Sequence, residues 1–222
     1  MGPDNQNEDR PLHRRILMAA AGATLAAGAL AGGTAQAQGA PRPTAGPARL
    51  RGTLDGVTET GITMITRTGA HLAVALSPQL RVALVAAARI EDIRPNSYIG
   101  TAATAPQPDR TLRALEVSVF PPEMRGAAQG HFAWDLGEGT TMTNGTVGSL
   151  VGTNGRTMVV SYGNGEKRVV IPDDVPIVMI EPADRVALQP GAKIVLNGQR
   201  DASGAVTAAF ILVGKDGLTP PM

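Results

Sequence analysis

Hydrophobic and polar residues alternate along most of the chain beyond residue 49, with the period of two that is typical of β-strands. Val, Ile and Thr are frequent in these segments, which favours strands over helices. A continuous apolar run at 82–88 begins a further strand, and the pattern contains no long helical period. The strands predicted in the first half lie at 50–54, 62–66, 72–76, 98–100 and 112–120.

The pattern of the first half of the chain recurs in the second half. Gly52-Thr53 matches Gly145-Thr146 at an offset of 93 residues, and further matches follow at offsets of 94 and 95. These offsets define two units of about seventy residues each, 49–120 and 143–215, separated by a spacer at 121–142. The sequence therefore predicts an internal repeat.

Each unit contains about five strands and one short helix. The helices are predicted at 89–93 and 184–188, where the segment has room for about one turn. Five strands with one intervening helix suit a small closed or partly open barrel of the OB type. We therefore predict an all-β fold of two tandem OB-like small β-barrels, 49–120 and 143–215, joined by the spacer.

The first 37 residues have the organisation of an export signal. Basic residues including Arg14-Arg15 precede an apolar run, which ends at the A-x-A pattern of Ala35 and Ala37. We predict a signal peptide at 1–37 that is cleaved after Ala37. The arginine pair fits the twin-arginine route, and ordinary signals also carry such pairs, so both routes stay open. A membrane anchor is the competing interpretation, but Ala and Gly contribute little transfer energy.

The predicted mature chain begins with a disordered leader at 38–48 and ends with a tail at 216–222. No later segment is long and apolar enough to span a membrane, so we expect a periplasmic or extracellular protein.

The composition excludes several classes of function. The chain has no cysteine, which excludes disulfides and thiolate chemistry. Its net charge is +1 and only 3% of its residues are aromatic, which argues against nucleic-acid binding. No catalytic motif or phosphate-binding loop occurs. We therefore predict a protein that is not an enzyme and needs no cofactor.

The spacer is the most unusual segment. It concentrates His131, Phe132, Trp134 and Asp135 in a chain that is poor in aromatic residues. These four residues are the predicted site, at which an envelope protein, a peptide or a glycan would bind. The competing structural interpretation is that Phe132 and Trp134 only fill the groove between the barrels while Asp135 caps a turn.

The alternative function is metal handling in the cell envelope. His131 and Asp135 could ligate copper or zinc, with Met124 and Met142 as soft ligands. Such a site normally needs three or four protein ligands.

Four segments resemble a family of bacterial secreted proteins known as domain of unknown function 5666. They are Arg51-Gly52-Thr53-Leu54, the stretch 90–100 with Asp92-Ile93-Arg94-Pro95, the stretch 111–117, and the spacer. Asn96 stands where the family usually has glycine, a tolerable change because Asn accepts left-handed backbone angles. The resemblance implies export and an OB-like barrel, and it implies no activity.

Overall fold

The computed structural model of the protein describes residues 44–151 and 156–221. The predicted signal peptide at 1–37 and the first part of the predicted leader lie outside these residues. The all-β prediction is confirmed, because the helical elements in the described part are all three-residue 3-10 turns. The strands are β1 (Gly46–Val57), β2 (Gly61–Thr66), β3 (His71–Ala87), β4 (Tyr98–Ala103), β5 (Leu112–Phe120), β6 (Gly130–Ala133), β7 (Thr141–Val151), β8 (Thr157–Tyr162), β9 (Gly165–Val170), β10 (Ile177–Ala183), β11 (Lys193–Arg200) and β12 (Val206–Gly214).

The first barrel is a closed ring of five strands in the order β1-β2-β3-β12-β11. Neighbouring strands are antiparallel except β3 and β12, which pair in parallel and close the ring. Its core is aliphatic and includes Leu54, Met64, Leu196 and Ile211, each almost fully buried. Closure leaves no unpaired edge inside the ring.

The second barrel repeats this arrangement with the ring β7-β8-β9-β5-β4. Here β5 and β9 form the parallel closure, and the remaining neighbours are antiparallel. Its core includes Ile99, Leu112, Met158 and Val169. Barrel architecture is therefore confirmed for both halves of the molecule.

The two barrels exchange strands, which corrects the predicted boundaries. Segment 49–120 supplies β1, β2 and β3 to the first barrel and β4 and β5 to the second. Segment 143–215 supplies β7, β8 and β9 to the second barrel and β11 and β12 to the first. Neither predicted segment is therefore a barrel by itself.

The length of β3 explains the exchange. This strand runs for 17 residues without a turn, a span of about 56 Å at 3.3 Å per residue. It therefore carries the chain out of the first barrel before β4 begins. The sequence predicted two strands here, at 72–76 and 82–88, from two separate apolar segments.

Pro78 is accommodated at an interruption of the β3–β12 pairing. The register on β3 jumps there from Leu76 to Arg81, so the residues between them have no partner on β12. Proline has no amide hydrogen to donate and is tolerated in a strand at such irregular positions. The strand continues across it.

A third apolar cluster lies between the barrels. It contains Ala83 and Val85 of β3, Val178 and Ile180 of β10, and Leu212 of β12. β10 pairs antiparallel with β3 and parallel with β5, so one continuous sheet passes through both barrels. No helix in the described part of the chain has the length and apolar character needed to cross a membrane.

Candidate functional site

The spacer is an ordered layer against the second barrel. It forms a 3-10 turn at Pro122–Met124 and then the short strand β6, which pairs antiparallel with β7. Trp134 continues the pairing, because its amide donates to the carbonyl of Thr140 at 2.9 Å. His131 lies in a strand, so it does not share a helix face with Asp135. Successive side chains of a strand point to opposite faces, which separates His131 from Phe132.

The spacer forms one wall of an open cavity of about 900 Å³ between the outer faces of the two barrels. This volume lies at the upper end of the range for small-molecule sites. The first barrel contributes residues of β1, β3, β11 and β12, and the second contributes residues of β5 and β7. The side chains that define its chemistry are Arg49, Arg81, Phe120, Met124, Phe132, Trp134, Asp135, Met142, Asn144, Asn197, Gln199 and Phe210.

The cavity gathers aromatic residues from distant parts of the sequence. The chain has three phenylalanines and one tryptophan, and all four line this cavity. Phe120 and Phe210 come from β5 and β12, while Phe132 and Trp134 come from the spacer. The barrel cores are otherwise aliphatic, so the aromatic side chains are concentrated at one place rather than spread through the interior.

The indole of Trp134 is held between two neighbours. The guanidinium carbon of Arg49 lies 3.6 Å from the indole ring centroid, a cation–π contact. The ring of Phe132 lies 6.0 Å away at an angle of 55°. Because Arg49 covers one face of the indole, that face is closed to a ligand.

Asp135 joins the spacer to the first barrel. Its carboxylate accepts hydrogen bonds from Arg51 at 2.8 and 2.9 Å and from Arg49 at 3.3 Å. The hydrogen bonds from Arg51 are the main reason that the pKa of Asp135 lies below its usual value. Asp135 therefore positions the two arginines of β1, a role that differs from the predicted turn cap.

His131 faces away from the cavity. Its Nδ1 lies 2.9 Å from the Thr143 hydroxyl, and its ring stacks on Tyr162 at 6.0 Å. Burial, and secondarily the charge of Lys167, lowers the pKa of His131. The prediction thus names three residues that line the cavity and one that does not.

The alternative metal site gains no support from this geometry. His131 and Asp135 have separate partners, and the carboxylate of Asp135 is occupied by two guanidinium groups. Within residues 44–151 and 156–221 no group of three or more His, Asp or Glu side chains could hold a metal ion. Met124 and Met142 line the cavity among aromatic neighbours.

A buried polar row lies on the outer face of the second barrel, beside the cavity. Glu116 exposes 1% of its surface, and burial raises its pKa to about 8 despite the opposing charges of Arg51 and Arg49. The carboxyl oxygens of Glu116, the Ser118 hydroxyl and the Asn144 Oδ1 have no hydrogen-bond partner among the described residues. Gly100 lies between Ser118 and Asn144 in the sheet.

Sequence reasoning missed the cavity residues that lie outside the spacer. Phe132 and Trp134 were predicted because aromatic residues are scarce in this chain. The same criterion would also have identified Phe120 and Phe210. Nothing in the sequence marks Arg49 as their neighbour, because β1 and the spacer are distant in sequence and meet only in the folded protein.

The chain was also compared with protein-family models, with curated proteins and with solved structures, and no match was found in any of the three comparisons. The resemblance to family 5666 stays a prediction.

Proposed function

We propose that the protein is an exported, non-enzymatic binding module of the bacterial envelope, with the aromatic cavity as its binding site. The observation that carries the proposal is the convergence of every phenylalanine and the one tryptophan on a single cavity. Concave sites lined by aromatic residues with a few polar groups are the common form of ligand-binding sites.

The architecture supports a binding role. Each barrel has five strands and a parallel closure, which fits the OB-like class, and duplication of one unit accounts for the matched strand order. The cavity lies between the barrels, so much of its wall belongs to paired strands, and the spacer supplies the rest. A preformed site of this kind reduces the entropy cost of binding.

Fluorescence of Trp134 tests the proposal directly. The mature protein is titrated with the neutral apolar dye N-phenyl-1-naphthylamine, and energy transfer from the single Trp to bound dye is recorded. We expect saturable transfer with one dye per chain. Phe132→Ser removes part of the apolar wall and should weaken binding about tenfold.

A matched control distinguishes the cavity from other apolar surface. Val186 is 76% exposed, on a 3-10 turn that does not line the cavity. Val186→Ser should leave the dye affinity unchanged. Absence of saturable transfer, or equal affinities of the wild-type protein and Phe132→Ser with unchanged thermal unfolding, would count against the proposal.

The export part of the proposal has its own measurement. The full chain is expressed in a Gram-negative host, and the mass of the protein in the periplasmic fraction is determined. Cleavage after Ala37 gives a mature chain that begins at Gln38. A protein that keeps Met1 and stays in the cytoplasm contradicts export.

A further inference from the structure

Positive charges outnumber negative charges around the cavity. Its lining has two guanidinium groups, Arg49 and Arg81, and one carboxylate, Asp135. Asp135 is shared between Arg49 and Arg51, so a single negative charge faces two positive ones. Glu116 does not offset this excess at neutral pH, because burial keeps its carboxyl protonated. The cavity is therefore apolar in its walls and positive in its net charge.

Arg81 is the cation that remains available to a ligand. It is an exposed residue of β3, and its guanidinium lies 5.6 Å from the ring centroid of Phe210, its neighbour in the sheet. Arg81 makes no ion pair within the described residues. A positive charge beside an aromatic wall suits a molecule with an apolar body and a negative head.

A peptide fits this cavity less well than a hydrocarbon chain does. An extended peptide has one amide donor and one carbonyl acceptor for each residue, and each needs a partner when buried. The lining is mostly apolar, with side-chain amides only at Asn144, Asn197 and Gln199. A hydrocarbon chain makes no such demand, and the volume of about 900 Å³ accommodates it.

We infer that the ligand of this cavity is a free single-chain amphiphile with one anionic head, such as an alkyl carboxylate, whose chain packs among Phe120, Phe132 and Phe210 and whose head pairs with Arg81. The inference rests on the proposed function and specifies the ligand class of the same site. The guanidinium of Arg49 stays at the cavity wall through its cation–π contact with Trp134, so Arg81 is the residue that pairs with the head.

Three probes with the same chain and different heads test the inference. Dodecanoate, dodecanol and dodecyltrimethylammonium each displace N-phenyl-1-naphthylamine from the mature protein, at concentrations below micelle formation. We expect the affinity to fall in that order. Arg81→Gln should weaken dodecanoate about fivefold, as expected for one exposed charge pair, and should leave dodecanol unchanged. Added salt should reduce the preference for dodecanoate.

The control and the alternatives separate the possible outcomes. Arg113→Gln changes an exposed arginine of β5 that does not line the cavity, and it should have no effect. Equal affinities for dodecanoate and dodecanol overturn the inference and leave the proposed function standing. A neutral apolar peptide that displaces the dye better than dodecanoate also overturns it. Failure of the dye itself to bind refutes the proposed function instead.

Discussion

Glu116 makes the stability of the protein depend on pH. Its carboxyl ionises near 4.5 when solvated, and burial raises the pKa in the folded protein to about 8. Between these values the folded state binds one proton more than the unfolded state. The free energy of unfolding therefore falls as the pH rises, by about 1.4 kcal/mol per pH unit for this group.

Glu116→Gln should remove this contribution. We expect the variant to gain stability relative to the wild-type protein as the pH rises from 5 to 8, because Gln has no charge to bury. Urea unfolding at pH 5, 6.5 and 8 measures the difference. Glu138→Gln, at an exposed position, is the matched control and should follow the wild-type profile. Parallel profiles for the wild-type protein and Glu116→Gln would contradict the prediction.

The position of Glu116 could not be read from the sequence. If the alternation of buried and exposed residues continued from the buried Leu112 and Ala114, Glu116 would point into the barrel. The pairing of β4 with β5 shifts register at Leu115, so Val117 enters the core and Glu116 turns to the outer face. A bulge of this kind leaves no mark in the hydrophobic pattern. Phe132 and Trp134, in contrast, were found because their residue types are rare in this chain.

Strand β4 packs closely against two residues that line the cavity, Phe120 and Asn144. A Cβ added to Gly100 would lie 2.6 Å from the Asn144 Oδ1 and 3.0 Å from a ring carbon of Phe120. Asn144 is fixed by its hydrogen bond to the Ala128 carbonyl, and Phe120 packs against Tyr98. Neither side chain can therefore move without losing a contact.

Gly100→Ala should destabilise the protein by about 1–3 kcal/mol, the usual cost of overpacking. Gly148→Ala is the control, because a Cβ there meets no atom closer than 3.8 Å. Chemical unfolding of both variants measures the difference. Equal stabilities would show that the wall of the cavity adjusts freely.

The positions of individual strands were predicted well, but the prediction did not recognise that β3 is one continuous strand. The predicted strand at 112–120 has the bounds of β5, and 3-10 turns occur within both segments where a short helix was expected. The prediction divided β3 into 72–76 and 82–88, and Pro78 lies between the two pieces. Whether a proline ends a strand depends on the neighbouring strand, and the sequence of one segment does not contain that information.

Strand exchange is the property that governs the molecule as a whole. The apolar pattern of a repeat is the same whether its strands pair within the unit or with the other unit. The repeat therefore predicted two barrels of about five strands each, and it could not predict which strands share a barrel. The cavity depends on that choice, since two of its aromatic residues, Phe120 of β5 and Phe210 of β12, come from exchanged strands.

Fragments of the chain should not fold separately. A chain that ends at Phe120 lacks two strands of the first barrel and three of the second. We expect 44–120 and 121–222 to be unfolded alone and to form one folded complex when mixed. Circular dichroism and gel filtration distinguish these states. Cooperative thermal unfolding of 44–120 alone would contradict the exchange.

The pairing of β1 with β11 also sets a delay during synthesis. Gly46 pairs with Arg200, and at about 5–20 residues per second the ribosome needs about 8–30 s to produce the intervening chain. An unpaired strand edge is a template for aggregation during such an interval. Arg49 and Arg51 lie on this edge, so we expect their charges to act as gatekeepers that keep β1 from pairing with other chains until its partner has been made.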